Sequence, residues 1–128
     1  MATSSGQFHE AAEDLRAETR DRHRAVVSLS EELEAVDWYD QRIDATGDDA
    51  LREILRHNRD EEKEHAAMLL EWLRRRDPRW DALLRRYLFT ERPIAEMARL
   101  DASPPEVDDA NHPPLSLPID GHSAKEML

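Results

Sequence analysis

A glutamate and a histidine stand three residues apart in the segment DEEKEHAAMLLEW. On an α-helix with 3.6 residues per turn, Glu62 and His65 are neighbours on one face. The residues Ala66, Leu69 and Trp72 continue that face, so the carboxylate and the imidazole point toward apolar surroundings. Carboxylate oxygen and imidazole nitrogen are both metal ligands, and a cation would offset the cost of burying a negative charge. The pair is therefore a candidate metal-binding motif.

A third candidate ligand, Glu32, lies in an earlier apolar stretch. It is predicted to face inward because steps of about one helical turn from it reach mostly apolar or small residues. These residues are Ala25, Ser28, Leu29, Val36 and Tyr39. Arg59 is the one nearby basic residue in the same phase as the candidate ligands. Three such polar side chains on facing helical stripes would be costly to bury without a cation.

The motif alone is weak evidence for a metal. In a chain of which 37% of the residues are charged, a glutamate often precedes a histidine by three positions through chance. Glu32 could equally extend its carboxylate along the helix surface into solvent. Glu61, Lys63 and Glu64 have the pattern of a solvated helix face with ion pairs. From the residues themselves, a metal site and a solvated face both stay open.

Two long helices are predicted to carry these residues. All seven prolines lie at Pro78 or later, and nothing breaks a helix from about Phe8 to Ala45, where apolar residues recur at three- and four-residue steps. The sequence TGDD then predicts a C-terminal glycine at Gly47 and an N-cap at Asp48, the pattern of a tight antiparallel turn. A second helix is expected from there to about Arg76.

Two shorter helices are predicted after the second long one. Asp77 and Pro78 have the pattern of an N-cap followed by a first-turn proline, which predicts a short helix that ends near Leu88. A last short helix is expected over residues 94–100. The fold class predicted from these elements is all-α, an antiparallel two-helix hairpin followed by a short C-terminal helix.

The distribution of proline divides the chain into three parts. Residues 101–128 hold five of the seven prolines and show no helical period, so we expect a mobile Pro-rich tail there. Residues 1–7 are expected to form a flexible N-terminus. Residues 8–100 are then the helical domain.

The composition limits the classes of partner. The formal net charge of −11 disfavours binding to nucleic acid phosphates and favours the attraction of cations. The chain contains no cysteine, which excludes disulfides and thiolate metal sites. We expect no secretory signal, and no stretch approaches the roughly 20 apolar residues that span a bilayer. These features predict a soluble, cytoplasmic protein that binds neither nucleic acid nor membrane.

A small apolar content predicts that the hairpin pairs with a second copy. Only 39% of the residues are hydrophobic and 5% are aromatic, which is little for a self-sufficient core. A second hairpin packed across a two-fold axis would complete a four-helix bundle. Two copies of Glu32, Glu62 and His65 would then bring together four carboxylates and two imidazoles. Such an oxygen-rich set suits two Fe(II) ions better than zinc.

Three segments of the chain resemble the encapsulated ferritins, the short ferritin-like cargo proteins of encapsulin nanocompartments. The segments are SLSEELEAVDWYDQR at 28–42, HNRDEEKEHAAMLLEWLRRRD at 57–77 and RYLFTERPI at 86–94. The resemblance covers roughly residues 9–97. It implies that the hairpin dimerises into a ferritin-like four-helix bundle and that five dimers form an open, ring-shaped decamer.

The resemblance also implies a function. Glu32, Glu62 and His65 match the ligands of the family's di-iron ferroxidase centre, which oxidises Fe(II) to Fe(III) at the dimer interface. The iron would then be stored in the surrounding encapsulin shell, inside a nanocompartment in the cytoplasm. The alternative is a non-catalytic helical adaptor whose dimer interface holds a structural metal such as zinc or manganese.

Further roles are implied by the resemblance alone. Glu31, Glu34 and Trp38 resemble a metal-attracting entrance site at the inner side of the ring, and a plain acidic surface with a packed indole is the alternative. Tyr39 resembles a tyrosine that lies near the irons. The set of His57, Glu61 and Glu64 resembles an outer, weaker cation site, where calcium or another divalent cation would bind.

One segment of the tail resembles a docking peptide for the shell. In PLSLPIDG, at 114–121, Leu115, Leu117 and Ile119 alternate with other residues, as an extended peptide in an apolar groove requires. Pro118 and the following GHSAKEML depart from the family's usual pattern.

Overall fold

A computed structural model describes residues 6–99 of the 128-residue chain. The predicted Pro-rich tail over 101–128, its docking segment at 114–121 and most of the predicted flexible N-terminus lie outside the described residues. The chain divides into two compact units, one that ends at Leu73 and one that begins at Arg74.

All regular structure in the described residues is helical. The helices are α1 (Ala17–Ala45), α2 (Asp49–Arg76), α3 (Pro78–Tyr87) and α4 (Ile94–Arg99), and a single 3-10 turn over Ala12–Asp14 precedes them. The described part contains no β-strand, so the predicted all-α class is confirmed. None of these helices combines the length and the apolar character that crossing a bilayer requires.

The turn between α1 and α2 is held by side chains on both sides of it. The carboxylate of Asp48 accepts hydrogen bonds from the backbone N–H groups of Ala50 (3.0 Å) and Leu51 (3.2 Å). These bonds satisfy two of the N–H groups that the first turn of a helix leaves without a partner. The prediction of an N-cap at Asp48 is therefore confirmed.

The prediction of a C-terminal glycine at Gly47 is wrong. No glycine in the described residues has a positive φ, and Thr46, the residue that follows the end of α1 at Ala45, has an extended conformation. The Arg52 side chain takes the place of a glycine cap, because it donates to the carbonyl groups of Ile43 (3.2 Å) and Thr46. The last carbonyls of α1 are thus satisfied by a side chain from α2.

The predicted start of the first helix at Phe8 is also wrong, because α1 begins at Ala17. The preceding residues fold back along α1: the Phe8 ring lies 4.6 Å from the His23 ring, centroid to centroid, and His23 Nε2 lies 3.0 Å from the Gly6 carbonyl oxygen. A helix that began at Phe8 would extend far beyond the 28 residues of α2, with no partner helix to pack against. The fold-back gives Phe8 an aromatic contact instead.

Few side chains of the first unit are buried. The buried apolar residues in the described part of the chain are Ala25, Ile43, Ala66 and Leu73, and two of them are alanines. Larger apolar side chains stay in contact with water: Ile54 is 58% exposed and Met68 is 60% exposed. A second copy packed against the hairpin would cover such side chains, and this pairing stays a prediction.

The second unit begins with the end of α2 and contains the two short helices. The Asp77 carboxylate accepts hydrogen bonds from the N–H groups of Arg79 (2.9 Å) and Trp80 (3.2 Å), and Pro78 occupies the first turn. The predicted cap and first-turn proline are therefore confirmed. Helix α3 ends at Tyr87, one residue before the predicted end at Leu88.

The last helix lies close to its predicted bounds. Helix α4 begins directly after Pro93, whose carbonyl oxygen accepts from the N–H groups of Glu96 (3.1 Å) and Met97 (3.3 Å). Arg86 links α3 to α4 by donating to the Met97 carbonyl (2.6 Å). Helix α4 is described up to Arg99.

Gly47→Ala is expected to raise the free energy of unfolding by about 0.4–1 kcal/mol, because alanine restricts the unfolded chain more than glycine does. The folded position accepts alanine, since its φ is outside the left-handed region and a Cβ there would have no neighbour within 4 Å. Urea unfolding at fixed protein concentration measures the change. As a control, Asp48→Ala removes the cap and should lower the stability by about 1 kcal/mol. A Gly47→Ala variant that is less stable than the parent would contradict the conformation described for Gly47.

Candidate metal centre

The hairpin brings the three predicted ligands together. Glu32 comes from α1, whereas Glu62 and His65 come from α2. His65 Nδ1 lies 3.5 Å from Glu32 Oε2 and 3.5 Å from Glu62 Oε2. One ligand atom from each side chain falls within 4.8 Å of the others. Within residues 6–99, this is the one such group of three or more histidine or acidic side chains.

The spacing of these atoms is close to that of ligands on a single cation. Metal bonds to carboxylate oxygen and imidazole nitrogen are about 2.0–2.2 Å long, which places neighbouring ligand atoms at about 3 Å from each other. The observed separations of 3.5 Å therefore need only small side-chain rotations to close on an ion. The donor set, two carboxylates and one imidazole, fits Fe(II) or Mn(II) better than a soft metal.

The cluster is partly open to the surface. The side chains of Glu32 and Glu62 are 24% and 25% exposed, and that of His65 is 44% exposed. Such exposure leaves room for an ion to reach the ligands and for further ligands to complete its coordination. One chain thus presents an open group of three donors.

The two carboxylates disturb each other. The pKa of Glu32 is raised above its ordinary value of 4.5, first because Glu32 and Glu62 share a hydrogen bond, then because of burial and the negative charge of Glu62. His65 acts in the opposite direction and lowers the pKa of Glu32. A shared hydrogen bond between two carboxylates requires a proton. A divalent cation can replace that proton and neutralise both groups.

The raised pKa sets the sign of a pH effect. Because the pKa of Glu32 is higher in the folded chain than in the unfolded chain, its contribution to stability is fully present below pH 4.5. That contribution is lost as the pH rises through the folded-state pKa. At higher pH, the Glu32 carboxyl group therefore contributes less to the stability of the fold than it does at low pH.

Arg59 is engaged away from the cluster. Its guanidinium donates to Asp40 on α1 (3.0 Å) and to the adjacent Asp60 (3.2 Å), and the hydrogen bond to Asp40 is the main cause of the raised pKa of Arg59. The one basic residue that the sequence placed in phase with the ligands thus neutralises two other carboxylates.

The sequence analysis missed Asp40 as the partner of Arg59. The register of the two helices could have identified this partner. Once Glu32 opposes His65 in an antiparallel pair, a residue two turns later on α1 opposes one about two turns earlier on α2. Asp40 and Arg59 satisfy that relation.

The predicted entrance residues lie on α1 outside the cluster. Trp38 is 51% exposed, Glu31 is exposed and Glu34 is half-buried. Trp38 lines a shallow cavity of about 320 Å³ together with Gln41 and Arg42. The entrance site stays a prediction.

The other residues that the resemblance singled out have local partners. His57 Nε2 lies 3.0 Å from Glu61 Oε1, one turn later on α2, whereas Glu64 is exposed and does not join them in a three-residue cluster within the described chain. Tyr39 is half-buried, and the Arg42 guanidinium lies 5.4 Å from its ring centroid. Both roles stay predictions.

Comparisons with known proteins agree with the geometry. Residues 7–91 match the sequence model of the family described as EncFtn-like. The chain is 62% identical over 103 residues to the "Encapsulated ferritin-like protein" of Rhodospirillum rubrum, which covers 80% of this chain and 74% of that protein. It is 35% identical over 71 residues to the "Encapsulin nanocompartment cargo protein EncC" of Myxococcus xanthus, which covers 56% of this chain and 55% of that protein.

The fold is also similar to a solved structure. A crystal structure of a protein from Nitrosomonas europaea superposes with a TM-score of 0.67 at 62% identity. The match covers 69% of this chain and 97% of that chain.

Glu32→Gln is expected to stabilise the metal-free protein at neutral pH, because glutamine can donate to Glu62 as a protonated glutamate does but cannot ionise. The gain should shrink as the pH falls toward 4.5, where Glu32 in the parent is protonated as well. Thermal unfolding of both proteins from pH 4.5 to 8 measures the difference. Glu13→Gln, at an exposed position, is the control and should show no such trend. A Glu32→Gln variant less stable than the parent at every pH would contradict the account.

Proposed function

Because the chain belongs to the EncFtn-like family, we propose that it is a ferroxidase that oxidises Fe(II) to Fe(III) at a di-iron site shared by two copies. The cluster of Glu32, Glu62 and His65 carries this proposal, since its donors suit Fe(II) and a cation would offset the repulsion between its two carboxylates. In this proposal iron is the substrate, and two ions bind at each dimer interface.

The open side of the cluster supports a site between two chains. Three side chains from one copy, with one ligand atom each, leave three of the six positions of an octahedral ion without a protein ligand. His65 is 44% exposed, and Ile54 and Met68, which stand on the same face of α2, are exposed as well. A second copy that covers this apolar surface would bring its own three donors to the first. The complete set is then four carboxylates and two imidazoles.

The proposal gives each ligand a role. Glu62 of each copy would bridge the two ions, whereas Glu32 and His65 would bind one ion each as terminal ligands. Each Fe(II) gives up one electron, and one O₂ takes the two electrons and two protons to form hydrogen peroxide. The anionic carboxylates favour the more highly charged Fe(III) product.

Charge and the surrounding residues support a route for iron. The net charge of −11 attracts cations to the surface. We place the entrance at Glu31, Glu34 and Trp38, a weaker outer site for calcium or a similar cation at His57, Glu61 and Glu64, and Tyr39 near the irons. Five dimers in an open ring have no closed interior in which to store a mineral.

Storage is therefore assigned to a surrounding shell. One relative is named an encapsulated protein and another an encapsulin nanocompartment cargo protein. By analogy, this chain is cargo of an encapsulin nanocompartment in the cytoplasm, and the shell receives its Fe(III). Residues 114–121 of the tail are the proposed docking peptide.

Glu62→Ala should reduce the rate of Fe(II) oxidation by at least about 100-fold, since loss of a residue that only supports a metal ligand already costs 10–100-fold. His65→Ala should weaken Fe(II) binding at the same centre. Stopped-flow absorbance of Fe(III) measures oxidation, with Glu13→Ala as the exposed control. Full activity of Glu62→Ala would contradict the site. A parent protein that binds metal without oxidising Fe(II) faster than the buffer does would be an adaptor.

Fe(II) should also drive assembly, because a site that is complete only across two chains binds metal best in the assembled state. At about 100 times the dissociation constant, each site favours that state by about 2.7 kcal/mol, or about 100-fold. Light scattering at low protein concentration, with and without Fe(II) under anaerobic conditions, measures the shift. His65→Ala should respond less than the parent. A parent mass that does not change with iron would argue against a shared site.

A further inference from the structure

One ion pair joins the two long helices beside the cluster. The Nη1 atom of Arg59 on α2 lies 3.0 Å from Oδ1 of Asp40 on α1. The Arg59 side chain is 24% exposed. Its Nε atom lies 3.2 Å from Asp60, a neighbour on the same helix. Arg59 therefore has one partner across the hairpin and one on its own helix.

The position of this pair along the hairpin is significant. Arg59 precedes Glu62 by three residues, or about 4.5 Å of helix rise. Arg52, which also reaches from α2 to the end of α1, is ten residues before Glu62 and contacts the turn. The ion pair between Arg59 and Asp40 thus joins the two helices close to the metal cluster, on the side of the cluster that faces the turn.

Apolar packing specifies the register of the two helices only weakly. The buried residues of the hairpin include two alanines, Ala25 and Ala66, and no large side chain in the described residues is fully buried. Small side chains allow one helix to slide or rotate against the other at low cost. A shift of α1 by a single residue, about 1.5 Å, would move Glu32 away from the other two ligands by a large part of a metal bond length.

We propose that Arg59 and Asp40 position the metal cluster, because their ion pair holds α1 and α2 in the register at which Glu32 meets Glu62 and His65. Arg59 contacts none of the three ligands in the described contacts and acts through the placement of α1 alone. The inference rests on the proposed metal centre, but it does not require that the bound metal be oxidised.

A purely electrostatic role of Arg59 predicts the opposite sign. A guanidinium near the cluster repels a cation, so its removal would tighten metal binding if charge alone mattered. Removal of a positioning contact weakens binding instead. Asp40 and Asp60 separate the two roles further, because both are carboxylates bound to Arg59 and only Asp40 lies on the other helix.

The test uses Co(II) binding to the full chain, because Co(II) absorbs visible light in a way that depends on coordination geometry and is not oxidised by air at such a site. We expect Arg59→Gln and Asp40→Asn each to weaken Co(II) binding by about 10-fold, in line with the 10–100-fold effects of residues that orient metal ligands. Each should also change the Co(II) spectrum. Asp60→Asn, the matched control, should bind Co(II) within about twofold of the parent.

Two further variants test the pairing itself. The double variant Arg59→Gln with Asp40→Asn should bind no more weakly than either single variant, because the two residues act as one contact. The exchange Arg59→Asp with Asp40→Arg should restore much of the affinity and the parent spectrum. Arg59→Lys, which keeps a cation that can reach Asp40, should retain more affinity than Arg59→Gln and serves if the glutamine variant fails to fold.

Several results would overturn the proposal. Equal losses in Asp40→Asn and Asp60→Asn would show a charge effect only, and tighter binding by Arg59→Gln would show repulsion. Lower thermal stability with unchanged Co(II) affinity would show a merely structural contact. If His65→Ala bound Co(II) as the parent does, both the proposed metal centre and the proposed positioning role of Arg59 would be contradicted. If Co(II) bound as expected but Fe(II) were not oxidised, only the proposed ferroxidase activity would be contradicted.

Discussion

The contact between Glu32 and Glu62 is the constraint on which the rest of the hairpin depends. Two carboxylates from different helices meet at a partly covered surface, where Glu62 raises the pKa of Glu32. A chain that needed only stability would have apolar residues at these positions. The hairpin instead keeps a charged cluster within the seam where α1 meets α2, so its stability and its capacity to bind a cation are opposed. This opposition is the strongest physical sign that the cluster is functional.

The sequence predicted those parts of the fold that local rules decide. Asp48 and Asp77 were recognised as caps because their side chains bond to N–H groups two or three residues later, which depends on no other element. The start of α1 depends instead on distant residues, since the chain before Ala17 folds back so that Phe8 reaches His23. The end of α1 likewise depends on Arg52, from the next helix. No helical period within α1 could show either contact.

The residues of the candidate site likewise separate into those that local patterns predict and those that depend on distant contacts. Glu62 and His65 follow from a three-residue spacing, and Glu32 follows from the face it shares with apolar neighbours. The contact between Asp40 and Arg59 depends on the register between the two helices. Periodicity does not give that register, because periodicity assigns a residue to a face of its helix and not to a position opposite a residue of the other helix. The entrance and outer sites came from resemblance, and their surroundings involve surfaces that other copies would complete.

A site divided between copies, as proposed, would also make the binding of iron depend on assembly. One hairpin offers three donors on a partly open surface, so under the proposed function a single chain would bind an ion weakly, and tight binding would require two chains at once. By linkage, metal then strengthens association as much as association strengthens metal binding. Confinement of many copies within a shell raises their effective concentration and shifts both equilibria together. Under the proposed encapsulation, the centre would be complete where the product can be stored, and a free chain in dilute solution would hold little iron.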